Sequence, residues 1–141
     1  MRAFSILLLF IPSVVMAQKA DDILGYWLTD DAKAKIEIYK EGGKYNGKIV
    51  WLAEPTDEDG NPIVDIENPD KALQSRPLIG LNLVFGFEFD GEHWEAGEIY
   101  DPNEGETYSC RMKLKKGRLE VRGYIGMPMF GRTVIWTKTS L

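Results

Sequence analysis

Cysteine and histidine are almost missing from this chain: Cys110 and His93 stand alone in 141 residues. A single cysteine cannot close an internal disulfide, so the fold rests on packing rather than on cross-links. The same scarcity excludes a metal centre built from histidine and cysteine. A catalytic triad would have only His93 to work with, placed between Glu92 and Trp94 behind an Asp90-Gly91 turn, so general acid–base chemistry has little material. Basic charge is also short, 17 Lys and Arg against 22 Asp and Glu, which makes nucleic acid a poor partner. Beyond the first fifteen residues no apolar run approaches the ~20 residues of a membrane span.

The one long apolar stretch is at the start. Arg2 supplies a positive charge, and Ala3 to Val15 carries only Ser5, Pro12 and Ser13 among apolar residues, the pattern of a secretory signal peptide. Val15-Met16-Ala17 places small residues where cleavage before Gln18 requires them, and no cysteine follows to take a lipid. We therefore expect a leader over 1–17, a single domain over 18–141, and a periplasmic or secreted product that is not a lipoprotein. Removing Arg2 leaves 16 basic against 22 acidic residues, a net charge of −6. A chain of this size buries roughly two-thirds of its unfolded surface, enough for one core.

Helical periodicity is nearly absent and alternation takes its place. Leu81, Leu83, Phe85, Phe87 and Phe89 share one face, Tyr108, Cys110, Met112 and Leu114 another, and Leu119, Val121 and Ile125 a third, each the mark of a half-buried strand. Glu41-Gly42-Gly43, Asp90-Gly91, Pro102-Asn103-Glu104-Gly105 and Lys116-Gly117 punctuate the runs as hairpin turns do. Strands are expected near 25–29, 34–40, 44–52, 81–89, 92–100, 106–115, 118–125 and 131–138. About eight antiparallel strands with one apolar face suit an up-and-down barrel, with a two-sheet sandwich as the alternative. One connection, 53–80, holds Pro55, Pro62, Pro69 and Pro77 without alternation. A loop that long is functional or disordered. Its Asn68-Pro69-Asp70-Lys71-Ala72-Leu73 reads as a cap and one short helical turn, expected to lie over a barrel mouth.

Two resemblances follow from particular residues. Ile23-Leu24-Gly25-Tyr26-Trp27-Leu28 resembles the Gly-x-Trp signature that opens the first strand of lipocalins and their calycin relatives. There the Trp plugs the closed end and a basic residue near the last strand lies across it, a position that Lys138 matches. Over nearly the whole domain the chain also resembles the bacterial exported family of domain of unknown function 2147. The matching segments are Gly25-Tyr26-Trp27, Gly47-Lys48-Ile49-Val50-Trp51-Leu52, Asn68-Pro69-Asp70, Ser75-Arg76-Pro77-Leu78-Ile79-Gly80-Leu81, Gly97-Glu98-Ile99-Tyr100-Asp101-Pro102, Gly105, Tyr108, Arg122-Gly123-Tyr124-Ile125-Gly126, Phe130-Gly131-Arg132 and Trp136. That resemblance implies an eight-stranded antiparallel lipocalin-like barrel in or beyond the bacterial envelope, and carries over no activity.

Candidate chemistry is sparse. Cys110 sits on an apolar face and reads as a small buried hydrophobe. Asp57, Asp59 and Asn61 have the first spacings of a calcium loop, but Gly60, Pro62 and Asn68 stand where such a loop needs other residues. Asp101 and Glu104 flank a turn that their carboxylates can hold. Arg76, Arg122 and Arg132 neighbour glycine or proline, and an arginine fork suits carboxylate or phosphate. With Tyr100, Tyr108 and Tyr124 they could line one mouth, an apolar pocket with polar anchors, or they could pin loops. Gly126-Met127-Pro128-Met129-Phe130-Gly131 is an apolar loop, either a plug or a contact patch. The leading expectation is a non-catalytic barrel without cofactor or metal, holding a small apolar or amphiphilic ligand behind phenylalanine walls. The alternatives are a solid barrel acting on an envelope protein partner through its surface, and a hydrolase or isomerase using Asp101, Tyr108 and an arginine.

Overall fold

The computed structural model describes residues 9–12 and 19–141, so the expected leader over 1–17 falls largely outside the described residues. Eight strands follow one another: β1 Gly25–Leu28, β2 Ala34–Glu41, β3 Lys44–Leu52, β4 Asn82–Phe89, β5 Trp94–Asp101, β6 Glu106–Lys115, β7 Arg118–Tyr124 and β8 Arg132–Thr139. Each pairs antiparallel with its neighbour, and β8 returns to β1, closing a barrel in which order in the chain is order in the ring. Closure leaves no open edge for another chain to extend. Strand boundaries agree with the alternation to within two residues, and the single ring replaces the sandwich alternative.

The up-and-down order sends alternate connections to opposite ends. The β2–β3, β4–β5 and β6–β7 turns share the end at which the chain enters. A 3-10 turn at Ala20–Ile23 fills that end, with Ile23 fully buried. Its carbonyls take the only polar atoms of two buried indoles: Trp27 Nε1 donates to Ile23 O at 2.8 Å and Trp94 Nε1 to Ala20 O at 3.0 Å. Lys138 Nζ lies 4.7 Å from the Trp27 ring centre and donates to Leu24 O at 2.7 Å. Gly25, at φ +120°, makes that crossing possible, since a Cβ there would sit 2.7 Å from the ammonium. The plugging Trp and its basic neighbour, implied by the lipocalin-like signature, are therefore both in place.

Alternation fails in β4. Leu83 and Val84 are both buried while Phe85 turns outward, because the β3–β4 register shifts around Gly47 and Gly86 takes φ +67°. A bulge changes which face the next residue occupies, and here the two irregularities together turn Phe85 outward and return Phe87 to the interior. The expected five-residue stripe is thus broken, and Phe87 alone of its phenylalanines is fully buried, packed on Gly97 of β5 at a point where no side chain intervenes. Ring-over-glycine packing of this sort compensates for the missing side chain in the strand. Ile125, also expected inward, lies past the end of β7 and is 73% exposed.

The close approach of Phe87 to Gly97 yields a stability prediction. Gly97→Ala drives a methyl into the ring and should cost about 1–3 kcal/mol, the usual penalty for overpacking. The urea midpoint of the purified protein measures it, and an unchanged midpoint contradicts this account of the bulge.

Candidate functional site

The other end of the barrel is hollow. A cavity of about 690 Å³ opens between the β1–β2 turn, the 102–105 turn and the loop that joins β7 to β8. Its walls are aliphatic, with Ile36, Ile49, Leu83, Ile99 and Val121 and one indole, Trp136. These are inward positions of alternating strands whose side chains are too short to meet across the ring. Aromatic bulk is spent at the closed end, on Trp27, Trp94 and Phe87. Of the phenylalanines among the described residues only Phe130, from the loop after β7, reaches the cavity lining. The expected phenylalanine walls are therefore replaced by isoleucine, leucine and valine.

Four of the six residues singled out in the sequence come together here: Tyr100, Tyr108, Tyr124 and Arg132 all line the cavity. Arg132 is exposed at the start of β8. The Tyr108 hydroxyl donates to Glu104 of the adjacent turn, and that bond, followed by burial, pushes its pKa up to about 12. It stays a protonated phenol at neutral pH, holding a carboxylate. Asp101 accepts from Asn103 N at 2.9 Å, and Asp31 from Thr29 Oγ1 at 2.7 Å and Lys33 N at 3.0 Å. Burial would raise Asp31, but those bonds outweigh it and hold the carboxyl below its ordinary value.

Arg76 and Arg122 are elsewhere, and both pin loops. Arg122 points away from the cavity on β7, where Nε donates to Pro128 O at 2.7 Å and one terminal nitrogen to Thr133 Oγ1 at 2.8 Å. It thereby holds the apolar loop whose Ile125, Met127, Met129 and Phe130 are exposed. That loop is a rim of the opening, not a plug.

Arg76 belongs to a buried polar knot. Its Nε and a terminal nitrogen both lie 2.9 Å from Asp65 Oδ2, and its guanidinium sits 5.7 Å from the Tyr100 ring centre. Asp65, with no exposed surface, also accepts from Tyr100 Oη at 2.7 Å and Asn68 Nδ2 at 2.9 Å. Burial would raise this carboxyl too, but the bonds from Tyr100, Asn68 and Arg76 prevail and keep it below 3.8. Tyr100 is pushed up to about 12, by burial first and then by Asp65. The knot ties the 53–80 segment to β5, and the Glu67 carbonyl packs directly on Gly105 of the next turn. The segment stands at the open end as expected. However, it leans outward on the β5–β6 hairpin and gives the cavity only Leu78, so it is a buttress rather than a cover. Its 3-10 turn is Lys71–Leu73, two residues later than the proline suggested, because Asp70 is the cap and accepts from Ala72 N.

Asp65 escaped the sequence reading. The available signal was one acid inside Ile63-Val64-Asp65-Ile66, since a carboxylate in an apolar run is stable only when paired. The remaining candidates behave as local structure. Asp57 accepts from the backbone of Asp59 and Asn61, each at 2.9 Å. Cys110 is buried, which pushes its thiol up to about 12. His93 lies near Asp90 and Glu95, whose own partner is Arg111 at 2.6 Å.

The family model described as "Uncharacterized protein conserved in bacteria (DUF2147)" matches residues 25–138. A solved structure described as protein HP1028 from the human pathogen Helicobacter pylori, belonging to the lipocalin family, is similar at a TM-score of 0.72. It is 22% identical and covers 83% of this chain and 82% of its own. That likeness establishes a shared fold. No curated protein matches.

The Asp65 knot generates the prediction for this site. Asp65→Ala should cost about 3 kcal/mol, the low end for breaking a buried pair because Arg76 keeps some contact with water. A carboxyl held below its unfolded value stabilises above that value, and the contribution is lost as pH falls through the folded value. Urea midpoints taken from pH 7 downward should fall for the parent below the ordinary aspartate range near 3.8, with a shallower fall in Asp65→Ala. Parallel curves would remove Asp65 as the source.

Proposed function

The chain belongs to the bacterial family of domain of unknown function 2147, and from that premise we propose that it is an exported, non-catalytic barrel that binds a small, partly apolar ligand in its open end. One observation carries the reading: a cavity of about 690 Å³ with aliphatic walls and a polar rim. Ligand sites fall in the range of about 300–1,000 Å³ with this division of apolar walls and few polar groups. Export rests on the leader pattern of residues 1–17, and the ligand reading on the cavity. A solid barrel acting through its surface loses its motive once the interior is hollow.

A neutral apolar fluorophore, N-phenyl-1-naphthylamine, tests the cavity. The protein should enhance its emission in a saturable way. Val121→Trp, which fills the cavity from the middle of β7, should weaken binding at least about tenfold, as overfilling a pocket excludes its occupant. A folded variant that binds as the parent does, or a parent that gives no enhancement, would defeat the proposal. Export has its own readout: the intact mass of protein recovered outside the cytoplasm should correspond to a chain beginning at Gln18, and a full-length mass there would contradict the leader.

A further inference from the structure

The charge around the opening is lopsided. Asp30 and Asp31 occupy the β1–β2 turn and Asp101 and Glu104 the β5–β6 turn, and all four border the cavity. In an eight-strand ring taken in sequence order these two turns stand across the mouth from each other. None of the four carboxylates is in an ion pair among the described residues. Among the described residues the only cations on the lining are Lys33 and Arg132. Lys33 shares a turn with Asp30 and Asp31, while Arg132 is exposed to one side. Anything entering thus passes between two acidic turns, where the facing charges add and low-dielectric walls focus the field.

An independent feature points the same way. Tyr108 and Tyr124 line the cavity close to these acids, and Tyr108 is bonded to Glu104 itself. Aromatic faces beside carboxylates attract organic cations, because the ring quadrupole and the carboxylate charge both favour a positive group that is only weakly hydrated. An anionic head would meet the same aromatics but four unpaired carboxylates.

Resting on the cavity reading above, we propose that the ligand is a cationic amphiphile, with an ammonium group between the Asp30–Asp31 and Asp101–Glu104 turns and an apolar body against the aliphatic walls. The aliphatic floor sets the tail, and the acidic rim with its tyrosines sets the sign of the head.

Displacement of N-phenyl-1-naphthylamine by three ligands of one chain length tests this: decyltrimethylammonium, decyl sulfate and 1-decanol, all kept monomeric. The parent protein should bind the ammonium compound about tenfold more tightly than the sulfate, the order expected for a unit charge near carboxylates at a wet rim. At about 0.5 M salt, where screening acts over a few ångströms, the preference should shrink. Asp101→Asn with Glu104→Gln should reduce it severalfold, and adding Asp30→Asn and Asp31→Asn should abolish it. Sulfate binding equal to or tighter than ammonium binding in the parent overturns the cation proposal while leaving the cavity reading intact. So does a preference that survives loss of all four charges. Failure of all three ligands and of the fluorophore to bind overturns both. The parent comparison needs no variant, so it stands even if a substituted rim fails to fold.

Discussion

The pairing of β1 with β8 is the contact on which the remaining architecture depends. β1 is only four residues long, yet it bonds to β2 on one side and, through Tyr26, Trp27 and Leu28, to Thr139, Lys138 and Thr137 on the other. Seven hairpin-linked strands can curl without meeting, and the short first strand joins the ends. The same register brings Lys138 beside Trp27, so the pair that seals the ring also caps its base. An indole with its N–H satisfied by Ile23 and its face covered by an ammonium leaves no unmet polar atom in the plug. Closure, plug and the path of the chain into the barrel are one packing event.

From that base the barrel is graded along its axis. Large aromatic side chains crowd the closed end, where Trp94 and Phe89 rings lie 4.6 Å apart and Phe87 covers Gly97. Towards the open end the inward positions pass to isoleucine, leucine and valine, and the summed side-chain volume no longer fills the ring. An eight-strand barrel sits at the margin where interior side chains either fill the space or leave room for one small ligand. The open end is held by polar means instead: Asp65 fastens the longest connection to Tyr100, and Arg122 fastens the loop after β7. Arg76, bound to Asp65, and Arg122 stiffen the frame of the opening without facing it, which leaves its sign to the unpaired acids.

Much of this was legible from residue order. Strand number and bounds follow from period-2 alternation and from turns such as Gly42-Gly43, because hairpins are local and their signals lie within a few residues. The bulge at Leu83-Val84 was not legible, since it compensates for a register shift against Gly47 in the partner strand, and nothing in Leu81 to Phe89 alone records that shift. The site divided in the same way. Tyr100, Tyr108, Tyr124 and Arg132 reach the cavity because they sit at strand ends near one pole of the ring. Arg76 and Arg122 look equivalent to Arg132 in sequence, beside proline or glycine, but each meets a stronger acceptor than solvent: a fully buried carboxylate for one and two carbonyls of the loop after β7 for the other.

By itself, residue order determined an all-β chain of about eight antiparallel strands, an acidic surface and a fold without disulfides, since each depends on composition or on spacings of a few residues, while the plugging tryptophan was implied by the resemblance to the lipocalin signature. Only the tertiary structure decided that the barrel is hollow, that its walls are aliphatic, that the long loop is a buttress, and that four acids gather around the opening. Those properties arise from side chains dozens of residues apart meeting across a closed ring, where volume and charge sum over the whole circle rather than along the chain.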